Sequence, residues 1–418
     1  MKTRDDRAEG GAADDDGAQR STNRSLLWPL SLGHGAIHWF QQLYPMILPA
    51  IKGSLGLSDI QVGTLSAVRQ FGTGPLLLPG GILADFKQHR MALILAASFL
   101  FMGLSYFLVS LATSYTWILL TVGLIGIGTV LWHPAALGTL ARRFPDRKGF
   151  ALGVHGVGAS VADTLAPVAI GGLLAVLAWQ DLLKLHLIPA VILAFLVWRS
   201  FGAMLEQGKR PTISVKAYLD EIAAMVRRPV VLGVLGVTGF TSMARLSVIT
   251  FLPIYLKEDL GYSPFIFGVY LGLLHAMGGL SQPVMGYLSD RFGRKAVLMP
   301  SLIVFGLLYF ALAAAAPGVQ LTLVILALGL FFYALANIIQ ATIMDAASAN
   351  VQSSTMGVTG IFGQFFSLPG PIIAGVIVAA HGRESAFIFA GAVTLLAALL
   401  LAPIKIPKSS TPTPRGGG

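Results

Sequence analysis

Twelve long apolar stretches decide the fold class before any single residue is considered. They lie near 27–51, 59–84, 91–112, 117–140, 149–177, 182–203, 231–256, 264–288, 296–316, 321–344, 357–380 and 385–404. Roughly 20 such residues, wound as a helix, cross the hydrocarbon layer of a bilayer. Hydrocarbon offers no partner to a free backbone group, so each stretch must satisfy its own hydrogen bonds as a helix. The short alternating strands of a membrane barrel are not seen in the sequence. With 55% hydrophobic and 11% charged residues, the chain is expected to be an all-α integral membrane protein of twelve transmembrane helices.

The charges orient those helices. A net charge of +10 could suggest nucleic acid, but its placement points to a membrane. With a cytoplasmic N-terminus, 22 of the 29 Lys and Arg fall in cytoplasmic loops and tails, and Arg199 lies at the cytoplasmic end of the sixth span. The opposite loops hold only Lys52, Lys184, Lys257 and Arg383, while Arg69 and Arg245 fall deeper within spans. This positive-inside bias places both termini in the cytoplasm, with a bacterial-type inner membrane as the expected location. No nucleic-acid partner is expected. The chain has no cysteine, which excludes disulfides, thiolate metal sites and cysteine nucleophiles.

A second feature halves the problem. Residues 81–90 read Gly-Ile-Leu-Ala-Asp-Phe-Lys-Gln-His-Arg, and 286–295 read Gly-Tyr-Leu-Ser-Asp-Arg-Phe-Gly-Arg-Lys. Both follow a long apolar stretch, 205 positions apart. Leu55-Gly56-Leu57-Ser58 and Leu260-Gly261-Tyr262-Ser263 repeat at the same offset. In the second and eighth spans, Gly63, Ala67, Gln70 and Gly74 correspond to Gly268, Gly272, His275 and Gly279, all on one helix face. In the fifth and eleventh spans, Pro167 and Gly171 correspond to Pro371 and Gly375. The expected organisation is therefore a disordered tail at 1–26 and a six-helix bundle at 27–203. A linker at 204–230 follows, in part an amphipathic helix on the inner surface, then a second bundle at 231–404 and a disordered tail at 405–418. The bundles start on the same side, so they relate by a twofold axis along the membrane normal.

Two signals point away from nucleotide chemistry. Gly123, Gly126 and Gly128 mimic a dinucleotide fingerprint, but they lie in an apolar span without a preceding strand, so close helix packing is expected of them. No Gly-x-x-x-x-Gly-Lys-Ser/Thr loop occurs, so ATP bound to this chain is not expected to power it, and no cofactor is expected.

Twelve spans in two parallel halves, with Gly-x-Leu-x-Asp-x-x-x-x-Arg after span two and Gly-x-Leu-x-Asp-x-x-x-Arg-Lys after span eight, resemble the major facilitator superfamily. The resemblance implies two pseudo-twofold-related six-helix bundles that alternate access to a central cavity. It implies that the two motifs latch the cytoplasmic face in the outward-open state, through Gly81, Asp85 and Arg90 and through Gly286, Asp290, Arg291 and Arg294. The first motif departs from the pattern, with Gln88 and His89 where a glycine and a basic residue are usual. Finer resemblance points to fosmidomycin-resistance-like efflux transporters, through His38-Trp39-Phe40-Gln41-Gln42-Leu43-Tyr44, Leu48-Pro49, His133-Pro134, Gly158 and Pro167. Relatives often carry Asn and Asp where this chain has Gln41 and Gln42. Most superfamily members act as monomers, which is the state expected here.

Ionisable groups at membrane depth are functional candidates by default. Arg69 and Arg245 are expected to bind an anionic substrate, Arg245 continuing a polar stripe of Thr238, Thr241 and Ser242. Asp163 is the one carboxylate near the middle of a span, and is read either as a proton-coupling site or as the partner of Arg69 or Arg245 in a fixed ion pair. His34, His38 and Gln41 share a face of the first span, and cavity lining or proton handling fits them. The same spacing could bind a metal, but no third ligand is evident nearby, so no metal site is expected. His133 aligns with Asn337 and is expected to face it across the cavity, since spans one, four, seven and ten line it in the superfamily. Gln42 joins the substrate set, and His38 and His133 join Asp163 as proton carriers. His155 and His275 read as hydrogen-bonded packing residues, and Asp345 as part of the cytoplasmic latch.

The function expected from these residues is proton-coupled efflux of a small anionic or amphipathic organic compound. The alternatives are an importer of an organic anion and, more remotely, a passive channel or an intramembrane enzyme.

Overall fold

A computed structural model describes residues 5–77, 79–80, 83, 87–144, 147–205, 216, 220, 223–224, 226–346 and 352–406. All regular structure among them is helical. The first half runs α1 (Asp5–Leu55), α2 (Asp59–Phe71), α3 (Met91–Ser110), α4 (Tyr115–Val122), α5 (Ile125–Arg143), α6 (Lys148–Leu174), α7 (Trp179–Leu185) and α8 (Leu187–Leu205). The second runs α9 (Pro229–Ile254), α10 (Pro264–Phe292), α11 (Arg294–Ala314), α12 (Val319–Phe332), α13 (Ala334–Ala346), α14 (Gln352–Ser367), α15 (Pro369–His381) and α16 (Glu384–Leu401). Spans four, six, ten and eleven are each built from two helices joined at a short break.

Ten helical segments among the described residues are long and apolar enough to cross a membrane. The first two expected spans fall short of that measure for local reasons. Polar His34, His38, Gln41 and Gln42 dilute the hydropathy of α1, yet Leu30, Ile37, Leu43 and Ile47 on it are fully buried. Helix α2 stops at Phe71, where the chain turns through Gly72. Helix α1 is also longer than expected, beginning at Asp5 inside the segment read as a disordered tail. The run before residue 20 is rich in Asp and Gly, poor helix formers, so its helix is a continuation of the turn already nucleated in the span rather than a product of local propensity. Gly81, Asp85 and most of the 204–230 linker lie outside the described residues, as do 407–418 of the C-terminal tail.

The repeat is visible in local geometry. Gly56 and Gly261 both take positive φ, 61° and 69°, which lets each chain reverse before its next helix. The serine two residues on then caps that helix: Ser58 Oγ accepts from the Gln61 N–H, and Ser263 Oγ accepts from the Ile266 N–H.

Helix pairing follows the same symmetry. Within the halves, α1 packs on α6 as α9 packs on α14 and α15, and α3 packs on α8 as α11 packs on α16. Between them, α2 meets α15 and α6 meets α10. These two seams use the repeated small residues against one another. A Cβ at Gly63 would run into the Pro371 carbonyl, and one at Gly268 into the Pro167 carbonyl. Gly375 likewise faces the carbonyl of Asp59, and Gly171 that of Pro264. With little hydrophobic force between helices in lipid, such close backbone approach is what holds them together. The Gly123 region packs as expected: Gly126 abuts the Gly72 backbone and Gly128 abuts Ser98 and Met102.

Candidate functional site

A cavity of about 440 Å³ lies between the halves, lined by spans one, two, five and seven to eleven. Arg69, Arg245 and the Thr238, Thr241, Ser242 stripe all face it, together with His38, Gln41, Gln42 and Asp163. The arginines are held by aromatic rings rather than carboxylates. Arg69 sits 4.9 Å over the Tyr44 ring, and Arg245 sits 4.5 Å over Phe332 and 5.3 Å over Tyr333. Each leaves its buried Nε without a hydrogen-bond partner, and neither forms an ion pair among the described residues. Cation–π stacking fixes the position of a guanidinium without neutralising it.

Asp163 answers to neither arginine, so a fixed ion pair with Arg69 or Arg245 is not made. His38 Nδ1 lies 3.0 and 3.1 Å from its two carboxylate oxygens, and Gln42 Nε2 donates to Oδ1 at 2.7 Å. From the other half, the Tyr333 hydroxyl donates to Oδ2 at 3.0 Å. The same hydroxyl lies 2.6 Å from His275 Nδ1. His275 is therefore no mere packing residue: it faces the cavity and completes a chain His38–Asp163–Tyr333–His275 that crosses from one half to the other. Tyr333 escaped the sequence reading because a lone tyrosine in an apolar span carries no signal until its neighbours are known.

Other expected placements differ. His133 does not face Asn337. Neither residue lines the central cavity, and Asn337 Nδ2 instead donates to Gln282 Oε1 within the second half at 2.6 Å. His133 and His34 do not line the central cavity. They turn toward each other, Nε2 to Nε2, at 3.3 Å. His155 stacks flat on His34 with centroids 3.9 Å apart, and both its ring nitrogens are buried without partners, so it is not hydrogen-bonded as expected. Gln41 donates to Thr129 Oγ1 at 3.1 Å, bracing spans one and four.

At the end expected to face outward, charges from both halves converge. Lys52 Nζ lies 2.9 Å from Glu258 and 3.5 Å from Asp59. Arg383 reaches Glu258 at 2.5 Å, Asp259 at 2.7 Å and Asp59 at 3.8 Å. Burial by itself would lower the Arg383 pKa, but the surrounding carboxylates, Asp259 and Glu258 foremost, outweigh it and raise the pKa above the ordinary arginine value.

At the opposite end, the described motif residues stay within the second half. Arg294 pairs with Asp290, bonds Ser289, and reaches Asp345 at 2.9 Å. Arg291 donates to the Tyr287 hydroxyl at 3.2 Å. A Cβ at Gly286 would meet nothing within 4 Å, so no other helix packs closely on that glycine in this conformation. Arg90 is exposed at the start of α3.

Comparison with known proteins agrees with this architecture. The family model described as Major Facilitator Superfamily matches residues 30–367 and 234–418. A probable nitrate/nitrite antiporter, NarK1 of Thermus thermophilus, is 29% identical over 300 residues, covering 67% of this chain and 64% of that protein's own length. The multidrug resistance protein MdtG of Escherichia coli is 26% identical over 326 residues, covering 76% of this chain and 78% of the relative. Among solved structures, the nucleoside transporter NupG aligns with a TM-score of 0.75 at 14% identity, covering 91% of this chain and 100% of that one. A bacterial homolog of the human lysosomal transporter Spinster, inward-facing and unoccupied, aligns with a TM-score of 0.73 at 16% identity, covering 92% and 95%.

Proposed function

The chain belongs to the Major Facilitator Superfamily, and from that premise we propose that it is a secondary transporter exchanging protons for a small organic anion. The observation that carries this reading is the pair of arginines in the cavity, fixed by rings and left without a carboxylate partner. An uncompensated charge in a low-dielectric crevice costs several kcal/mol, so a site with two of them favours an occupant that supplies the missing negative charge. Planar guanidiniums match phosphonate, phosphate or carboxylate oxygens. The relatives agree in kind: one is named for nitrate and nitrite, another for drug resistance.

Proton coupling is assigned to Asp163. In the conformation described, its carboxylate accepts hydrogen bonds from His38 and Gln42 on its own half and from Tyr333 on the other. Rocking the halves apart here must break the Tyr333 bond. A proton on Asp163 removes the charge that makes that bond strong, and so lowers the cost of the movement. Proton arrival thus favours one conformation, and anion binding at Arg69 and Arg245 favours another.

Orientation follows from the charge bias. Lys52, Arg383 and their carboxylates then close the extracellular end, the termini lie in the cytoplasm, and the chain works as a monomer in an inner membrane. Direction is proposed as efflux, with fosmidomycin-like phosphonates as the cargo class. Proteoliposomes with an imposed pH gradient test this. An exporter drives anion against the proton gradient, an importer moves both the same way, and anion flux indifferent to the gradient would remove the coupling claim. Cells expressing the chain should also survive fosmidomycin better than controls. No protection by any small anion challenge would remove the efflux claim.

A further inference from the structure

We propose that His34, His38 and His133 form a binding site for a borderline divalent transition metal ion, with Zn²⁺ as the type case. One ring nitrogen from each of the three lies within 4.8 Å of the other two. The sequence shows only His34 and His38, one turn apart on α1. The third ligand comes from α5, and the fold alone brings it there.

The tautomers carry the argument. His34 Nδ1 lies 2.9 Å from the carbonyl oxygen of His155. A carbonyl only accepts, so Nδ1 bears the hydrogen, and a neutral ring then leaves Nε2 as a bare lone pair. His133 repeats the arrangement, with Nδ1 donating to the Thr129 carbonyl at 2.9 Å. The two Nε2 atoms face each other at 3.3 Å. Lone pair against lone pair at that distance is a repulsive contact unless a cation stands between them. With Zn–N bonds of roughly 2.0–2.1 Å at tetrahedral angles, two ligand nitrogens stand about 3.3 Å apart.

His38 is prepared in the same way. It gives its Nδ1–H to Asp163, which leaves Nε2 free. A carboxylate or carbonyl on the far nitrogen of each imidazole is the outer shell that orients metal-binding histidines. All three rings have one. The His38 ring centroid lies 4.6 Å from that of His34 and 5.7 Å from that of His133, so a small inward rotation closes the set. His38 lines the central cavity, which supplies an entry path and room for a water in the fourth position. Three imidazoles without a thiolate select Zn²⁺, Cu²⁺, Ni²⁺ or Co²⁺ over Mg²⁺ and Ca²⁺. All three ligands lie on the first half, and metal uptake can be read without any transport; His38 is shared with the Asp163 network, so a bound ion would also act on that network.

The test uses the purified full-length chain without a polyhistidine tag, stripped with chelator and titrated with Zn²⁺ against a chromophoric chelator. The expected result is one equivalent bound per chain, with visible Co²⁺ bands of tetrahedral type on substitution. His34→Ala and His133→Gln should each weaken binding by at least about tenfold, while His381→Ala at the exposed end of α15 should leave it unchanged. Thermal melting with and without Zn²⁺ supplies a second readout. The ion should raise the midpoint of the wild type and of His381→Ala, and not of His133→Gln. No uptake by the wild type would assign the close nitrogen pair to a shared proton and overturn the site. Equal affinity in the ligand variants would overturn it as well.

Discussion

Tyr333 donates its hydroxyl hydrogen to Asp163 across the interface between the two halves, at 3.0 Å. It is a hydrogen bond to a carboxylate at membrane depth, and it joins parts of the molecule that the proposed rocking would separate. Hydrogen bonds to charged groups contribute about 1.5–3 kcal/mol. Tyr333→Phe should therefore shift the balance of conformations by about tenfold or more toward the state in which Asp163 and span ten are apart. The chain contains no cysteine, so single-cysteine reporters on the loops near Lys52 and Glu258 can read that shift by labelling rate. An unchanged rate would contradict the bridging role.

Asp163→Asn keeps the shape of the side chain and removes its charge. Flux driven by a pH gradient should fall to background, while anion exchange without a gradient should persist. Parallel assays in proteoliposomes separate the two. Loss of both would mark Asp163 as part of the binding site rather than the coupling site.

Arg69→Ala and Arg245→Ala should each abolish anion binding or weaken it by more than about tenfold, since a charged pairing of this kind contributes roughly 1.5–3 kcal/mol. Lysine at either position should recover only part, because it lacks the planar fork and stacks poorly on Tyr44 or Phe332. Isothermal titration with a phosphonate measures both. The variants should melt at or above the wild-type temperature, because each removes an unpaired charge.

Spans, halves and repeat were legible because each rests on many residues. A stretch of apolar side chains is redundant, and the 205-residue offset recurs in loops, caps and helix faces. Even the glycine and proline pairs singled out from sequence prove to be the two seams between halves. The network around Asp163 was less accessible. Its carboxylate is visible as a lone charge in a span, but Tyr333 and His275 become its neighbours only when spans five, eight and ten meet. The alignment of His133 with Asn337 gave no hint of the partners each finds on its own half, His34 for His133 and Gln282 for Asn337. Nor do the outer charges show any pattern in sequence: Lys52 sits in the last turn of α1 and Glu258 in the turn that follows α9, and they become partners only through the pseudo-twofold arrangement.

Those outer charges give a fourth prediction. Isolated surface pairs contribute only about 0.2–1 kcal/mol each, but Arg383 touches three carboxylates. Arg383→Ala should open the outer end, raising reporter labelling there by about two- to tenfold on that scale. High salt should produce part of the same effect in the wild type and little more in the variant. Labelling that ignores both changes would remove these charges from the gate.

The nested breaks in spans two and four have a mechanical meaning. Helix α2 ends at Phe71 and the fourth span is interrupted between α4 and α5, with Gly72 seated against Gly123 and Gly126. Two helix ends seated backbone to backbone leave no room for one to shift without the other. Arg69 stands three residues before that contact, so any displacement of α2 at its guanidinium would be passed on to the fourth span.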